Sequence, residues 1–355
     1  MTDALPTRAL GRTGMELTTV GFGAWAIGGL GWEHAWGPQD DGDSVAAVRH
    51  AVEAGVNWID TAPVYGHGHS EDVVGRALGG LPEADRPYVF TKCGLLWDDT
   101  DPMAPQVRDA SRIRWELDQS LRRLRVERVD LLQLHWPPEH GPSLAESWQT
   151  LVDLRGEGKV RAIGLSNVDT IQLGALADIG PVDSLQPPLS LLRRDVAGAE
   201  IPWCAEHDTG VIVYSPMESG LLSGGFTAER VAALPADDWR RTAPEFTGAA
   251  LARNLSLVDR LGPVADRHRV PVAAVAVAWT LAWTGVTGAI VGARRPDQVD
   301  GWLPAASLRL SDGDLDEIAE ALLVTGAGRG PTRPPPLGDH GPGGTTRRAA
   351  RPHTP

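Results

Sequence analysis

Eight short apolar runs, at 20–25, 58–61, 88–92, 129–135, 160–166, 184–186, 210–214 and 288–291, alternate with longer amphipathic stretches along this chain. Most of the runs lack a polar face, as strands do when helices cover both sides of a parallel sheet. Helical spacing is carried by 43–54, 70–78, 111–124, 143–155, 170–177, 195–207 and 251–283, and again by 296–303 and 312–323. Glu71 and Asp72 follow Ser70 as acids suited to a first helical turn, and Ser143 with Glu146 makes a capping box. Ahead of the first run, residues 8–14 turn into 16–20 as a hairpin.

Two architectures compete for such an alternation. An open dinucleotide-binding sheet wants GxGxxG after its first strand and an acid about twenty residues on. Gly21-Phe22-Gly23 and Gly28-Gly29-Leu30-Gly31 do not reproduce that spacing. A closed barrel instead puts reactive residues at the C-terminal ends of many different strands, and that is the pattern described below. The expected fold is α/β, a (β/α)8 TIM barrel with an N-terminal β-hairpin, filling one domain over 1–325. From 326 to 355 Gly, Pro, Arg and Thr dominate, and Arg329, Arg333, Arg347, Arg348 and Arg351 face a single acid, Asp339. Having almost no apolar residues to offset ordering entropy, this stretch is expected to be a disordered tail.

Composition narrows the partners. At 42% hydrophobic residues the 355-residue chain can bury a sizeable core, and a net charge of −13 argues against nucleic acid and against an anionic membrane surface. Cys93 and Cys204 show no CxxC or Cys/His spacing, so neither a disulfide framework nor a metal site is expected. Residues 1–14 lack a basic segment leading into an apolar one, and no window reaches eighteen uncharged apolar residues. The expected compartment is the cytoplasm.

Of thirty-three basic residues only Lys92 and Lys159 are lysines, and Lys92 closes an apolar run. A lysine kept at an interior strand end, where arginine serves everywhere else, suggests a compact charge with a movable pKa. Asp60 lies in the second run, Tyr65 just beyond it, and His135 ends the fourth. Each alone has an ordinary reading, as a turn acid, a loop aromatic, an ion-pair member or a hydrogen-bonded structural histidine. An acid, a phenol, an ammonium and an imidazole at the ends of successive strands together make a proton-transfer site. A phenol with a pKa near ~10 is a slow acid at neutral pH, and a nearby ammonium is expected to lower it. Asp60 would hold Lys92 in place and keep it charged.

The segment Asn57-Trp58-Ile59-Asp60-Thr61-Ala62-Pro63-Val64-Tyr65-Gly66, then Ser70-Glu71, resembles the aldo-keto reductase family. So do Thr91-Lys92, Leu134-His135, Gly164-Leu165-Ser166-Asn167, Tyr214-Ser215-Pro216 and Gly292-Ala293-Arg294, in the family's order over roughly 8–323. The resemblance implies reduction of an aldehyde or ketone with NADPH, with Asp60, Tyr65, Lys92 and His135 as a catalytic tetrad and Tyr65 as general acid. It implies cofactor contacts from Gly23, Ala24, Trp25, Ser166, Asn167, Gln186, Tyr214, Ser215, Pro216, Met217, Gly220, Gly292, Arg294 and Gln298. Among these, Ser166, Asn167 and Gln186 would bond the carboxamide, Tyr214 would stack on the nicotinamide, and Arg294 and Gln298 would meet the 2′-phosphoribose and adenine.

The chain departs from the pattern in three places. Pro187-Pro188-Leu189-Ser190 follows Gln186 where Tyr-Asn is frequent, Gly224-Gly225 stands near a common lysine, and Gly301-Trp302 replaces an acid-asparagine pair. These bear on the choice between NADP and NAD. Potassium-channel β subunits, members that join a slow reductase site to a partner-binding role, supply the alternative of a regulatory cofactor-binding module. A Schiff-base aldolase using Lys92 is a third reading. Trp32, Trp97 and Trp136, at or after strand ends, are candidate walls for a small-molecule carbonyl substrate, with ordinary packing as the alternative.

Overall fold

Two short strands, β1 (Thr7–Ala9) and β2 (Glu16–Thr18), pair antiparallel and form the expected hairpin. Eight more follow: β3 (Val20–Gly23), β4 (Trp58–Asp60), β5 (Tyr88–Cys93), β6 (Val129–Leu134), β7 (Val160–Ser166), β8 (Ser184–Gln186), β9 (Gly210–Val213) and β10 (Val286–Gly292). Each pairs in parallel with the next, and β10 returns to β3 with Gly292 beside Gly23, closing the barrel. The computed structural model describes residues 4–32, 34–95, 110–138, 143–235 and 238–335.

Because side chains alternate along a strand, each barrel strand sends every second residue inward. Trp58, Phe90, Leu131, Ala162, Ile212 and Ile290 meet inside the barrel, and Leu10, Met15 and Leu17 of the hairpin region join them as a plug at the N-terminal end. Trp58 is the largest of these. A Cβ at Gly21 would come within 2.1 Å of its ring, so the indole requires glycine on the neighbouring strand. Its N–H donates to the Thr18 carbonyl at 2.7 Å, which ties the plug to the barrel floor. Outward residues of the same strands, such as Val20, Ile59, Leu132 and Ile163, pack under the helices in the larger core.

Helix Leu144–Gly156 opens with the Ser143–Glu146 capping box read from the sequence. The long stretch 251–283 is two helices, Gly248–His268 and Val272–Leu281. Arg269 stops the first in a left-handed conformation, φ 56°, and Pro271, with no N–H, caps the second. The stretch 195–207 is likewise divided, into a 3-10 turn Asp195–Ala197 and helix Glu200–Glu206. The first barrel strand ends at Gly23, before a turn Trp25–Ile27. No helix among the described residues is long and apolar enough to cross a membrane.

The Gly/Pro/Arg-rich stretch stays on the barrel as far as it is described. Beyond the left-handed Gly326, the Arg329 backbone N–H donates to the Leu192 carbonyl and the Arg194 N–H donates to the Arg329 carbonyl. Arg329 pairs with Asp195 at 2.6 Å, and Arg333 pairs with Asp312 and Asp316. Apolar content did not foretell this docking, because residues 326–335 are held by backbone and ionic contacts, with Ala327 the small buried anchor.

Candidate active site

Two residues beyond the apolar floor on β4, β5 and β6, the inward side chains turn polar. Asp60 follows Trp58, Lys92 follows Phe90, and Gln133 follows Leu131, with His135 the next inward position after Gln133. All four are buried. The Lys92 ammonium donates to Asp60 Oδ1 at 2.5 Å, to the Thr61 carbonyl at 3.0 Å and to Tyr65 Oη at 3.2 Å. Its three donors are thereby all engaged, and its side chain is 0% exposed. Tyr65 enters from the loop after β4, where Gly66 (φ 63°) presses on the loop after β3; a Cβ there would meet Gly28 O at 1.8 Å. The His135 ring stands edge-on to Tyr65 with centroids 5.8 Å apart.

Burial disfavours the charged form of Lys92, yet the charges of and hydrogen bonds to Asp60 and Tyr65 outweigh it and raise the ammonium's pKa. Tyr65 differs from the sequence expectation. Burial pushes its phenol upward, Lys92 pulls it down, Asp60 pushes it up again, and the net direction is up. The ammonium moderates the effect of burial without overcoming it.

Above this layer lies a cavity of about 1650 Å³ at the C-terminal end of the barrel. It exceeds the ~300–1,000 Å³ of an ordinary small-ligand pocket, enough for a dinucleotide beside a substrate. Gly23, Ala24, Trp25, Trp32, Asp60, Tyr65, His135 and Trp136 line it, as do Ser166, Asn167, Gln186, Tyr214, Ser215, Pro216, Met217, Gly220, Gly292, Arg294 and Gln298. Lys92 sits behind Asp60 and Tyr65 and does not reach the cavity wall. Trp97 lies outside the described residues.

Several of these polar groups are already engaged with one another. Ser166 donates its hydroxyl to the Gln186 carbonyl, and Asn167, left-handed at φ 58°, donates to the His135 carbonyl and accepts from Tyr214 Oη at 2.8 Å. Burial pushes the Tyr214 phenol up to about 12. Arg294 is tied to the loop at 36–39: its Nε donates to Gln39 Oε1 at 2.5 Å, Nη1 to the Trp36 carbonyl at 2.9 Å, and Nη2 to the Pro38 carbonyl. Gln298 accepts from the Arg294 backbone N–H at 2.7 Å. A guanidinium has five N–H donors, so three of Arg294's are turned toward its own chain.

The structure adds residues that the sequence reading passed over. Gln133 was hidden inside an apolar run, where its polarity was the available signal. Trp239 and Arg240 arrive from a distant segment: Trp25 stacks between Tyr65 (6.4 Å) and Trp239 (6.1 Å), and Arg240 lies 4.6 Å from the Trp36 ring while gripping Asp238. Glu218, buried on the same wall, accepts from Ser190 Oγ at 2.7 Å, and burial pushes its carboxyl up to about 7 against the pull of Arg193.

Closed parallel barrel, plugged floor and polar mouth describe an α/β-barrel enzyme, and comparison gives the family. The Aldo/keto reductase family model matches residues 19–323. The aldo-keto reductase YhdN of Bacillus subtilis is 33% identical over 314 residues, covering 88% of this chain and 92% of its own length. The NADH-specific methylglyoxal reductase of Escherichia coli is 33% identical over 332 residues, covering 88% and 98%. The solved structure of a glycerol dehydrogenase from Gluconobacter oxydans superposes with a TM-score of 0.81 at 36% identity, covering 92% of this chain and 97% of that one. This chain belongs to the aldo/keto reductase family, oxidoreductases that act on small carbonyl compounds with a nicotinamide cofactor.

Proposed function

We propose that the chain reduces the carbonyl of an aldehyde or ketone to an alcohol with NADPH, Tyr65 serving as general acid. The observation that carries this reading is the Asp60–Lys92–Tyr65 chain of hydrogen bonds, buried at one end and facing the cavity at the other. When bound, the nicotinamide nucleotide supplies the hydride. Tyr65 gives its proton to the developing alkoxide, and the Lys92 ammonium stabilises the phenolate left behind. Asp60 holds that ammonium, and His135, edge-on to Tyr65, orients the carbonyl oxygen. Ser166, Asn167 and Gln186 would hold the carboxamide and Tyr214 would stack on the nicotinamide ring, all four lining the cavity. The backbone at Gly23, Gly220 and Gly292 lets the nucleotide approach closely.

The raised phenol pKa has a direction. Tyr65 stays protonated through neutral pH, which suits reduction; alcohol oxidation, which needs the phenolate, gains as pH rises. Tyr65→Phe removes the acid and is expected to lower carbonyl-reduction turnover by about a hundredfold or more, with cofactor binding nearly intact. Turnover like the wild type's in that variant would reject Tyr65 as the proton donor. The engaged, raised-pKa ammonium of Lys92 speaks against Schiff-base chemistry, which needs a neutral amine.

For the cofactor, we read Arg294 as the 2′-phosphate contact, so NADPH binds more tightly than NADH. Losing one charge-assisted contact of roughly 1.5–3 kcal/mol in Arg294→Ala should shrink the difference by about ten- to a hundredfold. The NADH-specific name of the Escherichia coli relative makes equal or reversed affinities the informative contrary result. For the substrate, the indoles of Trp25 and Trp32 over Tyr65 favour apolar or aromatic carbonyls. Methylglyoxal and glycerol, in the names of two relatives, keep short polar compounds as the second reading. Comparing kcat/KM across both classes separates them.

A further inference from the structure

At the inner end of the cavity three buried side chains close a ring. Gln186 Nε2 donates to Asp60 Oδ2 at 2.8 Å and to Gln133 Oε1 at 3.2 Å, and Gln133 Nε2 donates to the same Asp60 oxygen at 3.3 Å. The orientation is chemically forced. Turning the Gln186 amide over would set its oxygen against both the carboxylate and the Gln133 oxygen. Asp60 is thus held at both oxygens, Oδ1 by the ammonium and Oδ2 by two amides. A carboxylate oxygen left without donors in this dry layer would swing toward any that remained.

We propose that Gln133 is a positioning residue of the reaction: with Gln186 it anchors Oδ2 of Asp60, so that Oδ1 keeps Lys92 beneath the Tyr65 hydroxyl. The proposal rests on the reading of Asp60, Lys92 and Tyr65 given above. Gln133 is 0% exposed and lies on β6 directly beside Lys92 in register, which suits it to act through the acid rather than on a ligand. The titratable groups that act on Asp60 are Lys92 from β5 and Tyr65 from the loop after β4, and the group that bonds it from β8, Gln186, is neutral.

Gln133→Met keeps the volume and removes the anchor; kcat for carbonyl reduction should fall about tenfold, the size of one lost hydrogen bond to a charged group, with KM little changed. In an Asp60→Asn background the same substitution should cost less than about twofold, since coupled residues are non-additive. Gln133→Glu provides a second reading. Protonated, its carboxyl donates to Asp60 as the amide does; ionised, it repels that carboxylate. Its kcat should approach the wild-type value at acidic pH and fall away from it as pH rises. If Gln133→Met does not fold, the Gln133→Glu profile decides alone. Wild-type kcat in Gln133→Met, an undiminished effect in Asp60→Asn, or a Gln133→Glu profile parallel to wild type overturns the proposal. If Asp60→Asn itself keeps full turnover, the reading of the tetrad has failed and this proposal with it. If Asp60→Asn is impaired while the Gln133 variants are not, only the role of Gln133 falls.

Discussion

The floor and the mouth of this barrel are made by the same strands, two residues apart. On β4 the pair is Trp58 and Asp60, on β5 Phe90 and Lys92, on β6 Leu131 and Gln133. The floor is non-directional: its residues need volume and contact, and one indole N–H finds one carbonyl. The mouth is directional: the ammonium has three acceptors and the carboxylate three donor groups, with little room for substitution. On these three strands the packed floor and the polar layer are separated by a single alternation, so a change at one end should be readable without the other.

The largest expected effect is at the floor. Trp58→Ala leaves a void against Gly21 and Gly288 and should lower unfolding free energy by roughly 3–5 kcal/mol, measured by denaturant titration. Turnover per folded molecule should stay near wild type. A collapse of kcat in the folded fraction would show that the two ends are coupled. At the mouth, Lys92→Arg should be nearly as damaging to kcat as Lys92→Met, a hundredfold or more, although charge is preserved. A planar fork with five donors cannot take the position where three acceptors converge on one ammonium. Substantial activity in the arginine variant would make Lys92 a generic counter-charge.

The smallest effect tests the cavity wall. The Glu218 carboxyl has its folded-state pKa raised from 4.5 to about 7, so its stabilising contribution is full below the unfolded value and is lost as pH rises through about 7. Glu218→Gln keeps an acceptor for Ser190 and removes the buried charge. It should raise Tm at pH 8, where the carboxyl would otherwise be forced to ionise in its buried site, and leave Tm nearly unchanged at pH 4. An equal change at both pH values would mean that packing, not charge, governs this wall.

Strand ends made much of this site legible in the sequence. A polar residue at the end of an apolar run points inward at the C-terminal end of a parallel strand, so Asp60, Lys92, His135, Ser166 and Gln186 were legible together, although each alone has an ordinary reading. Gln133 was less visible because it interrupts a run instead of closing one. Neither the meeting of Trp25 with Trp239 nor the tie from Arg294 to the 36–39 loop leaves a local mark, since each joins segments more than two hundred residues apart. The division of 251–283 was signalled by Pro271 but masked by apolar residues that continue past it. The direction of the Tyr65 pKa required knowing that burial exceeds the pull of a single ammonium.

The two lysines also differ in what they offer to a reagent. Lys159 is 39% exposed and makes one surface ion pair with Asp118 at 2.9 Å, whereas the Lys92 amine is sealed inside the barrel. An amine-directed label on the native protein should therefore find Lys159 and spare Lys92. Modification of Lys92 then becomes a clock for opening of the barrel, readable by peptide mass. A saturating nicotinamide cofactor should slow that clock in proportion to how tightly it holds the closed state.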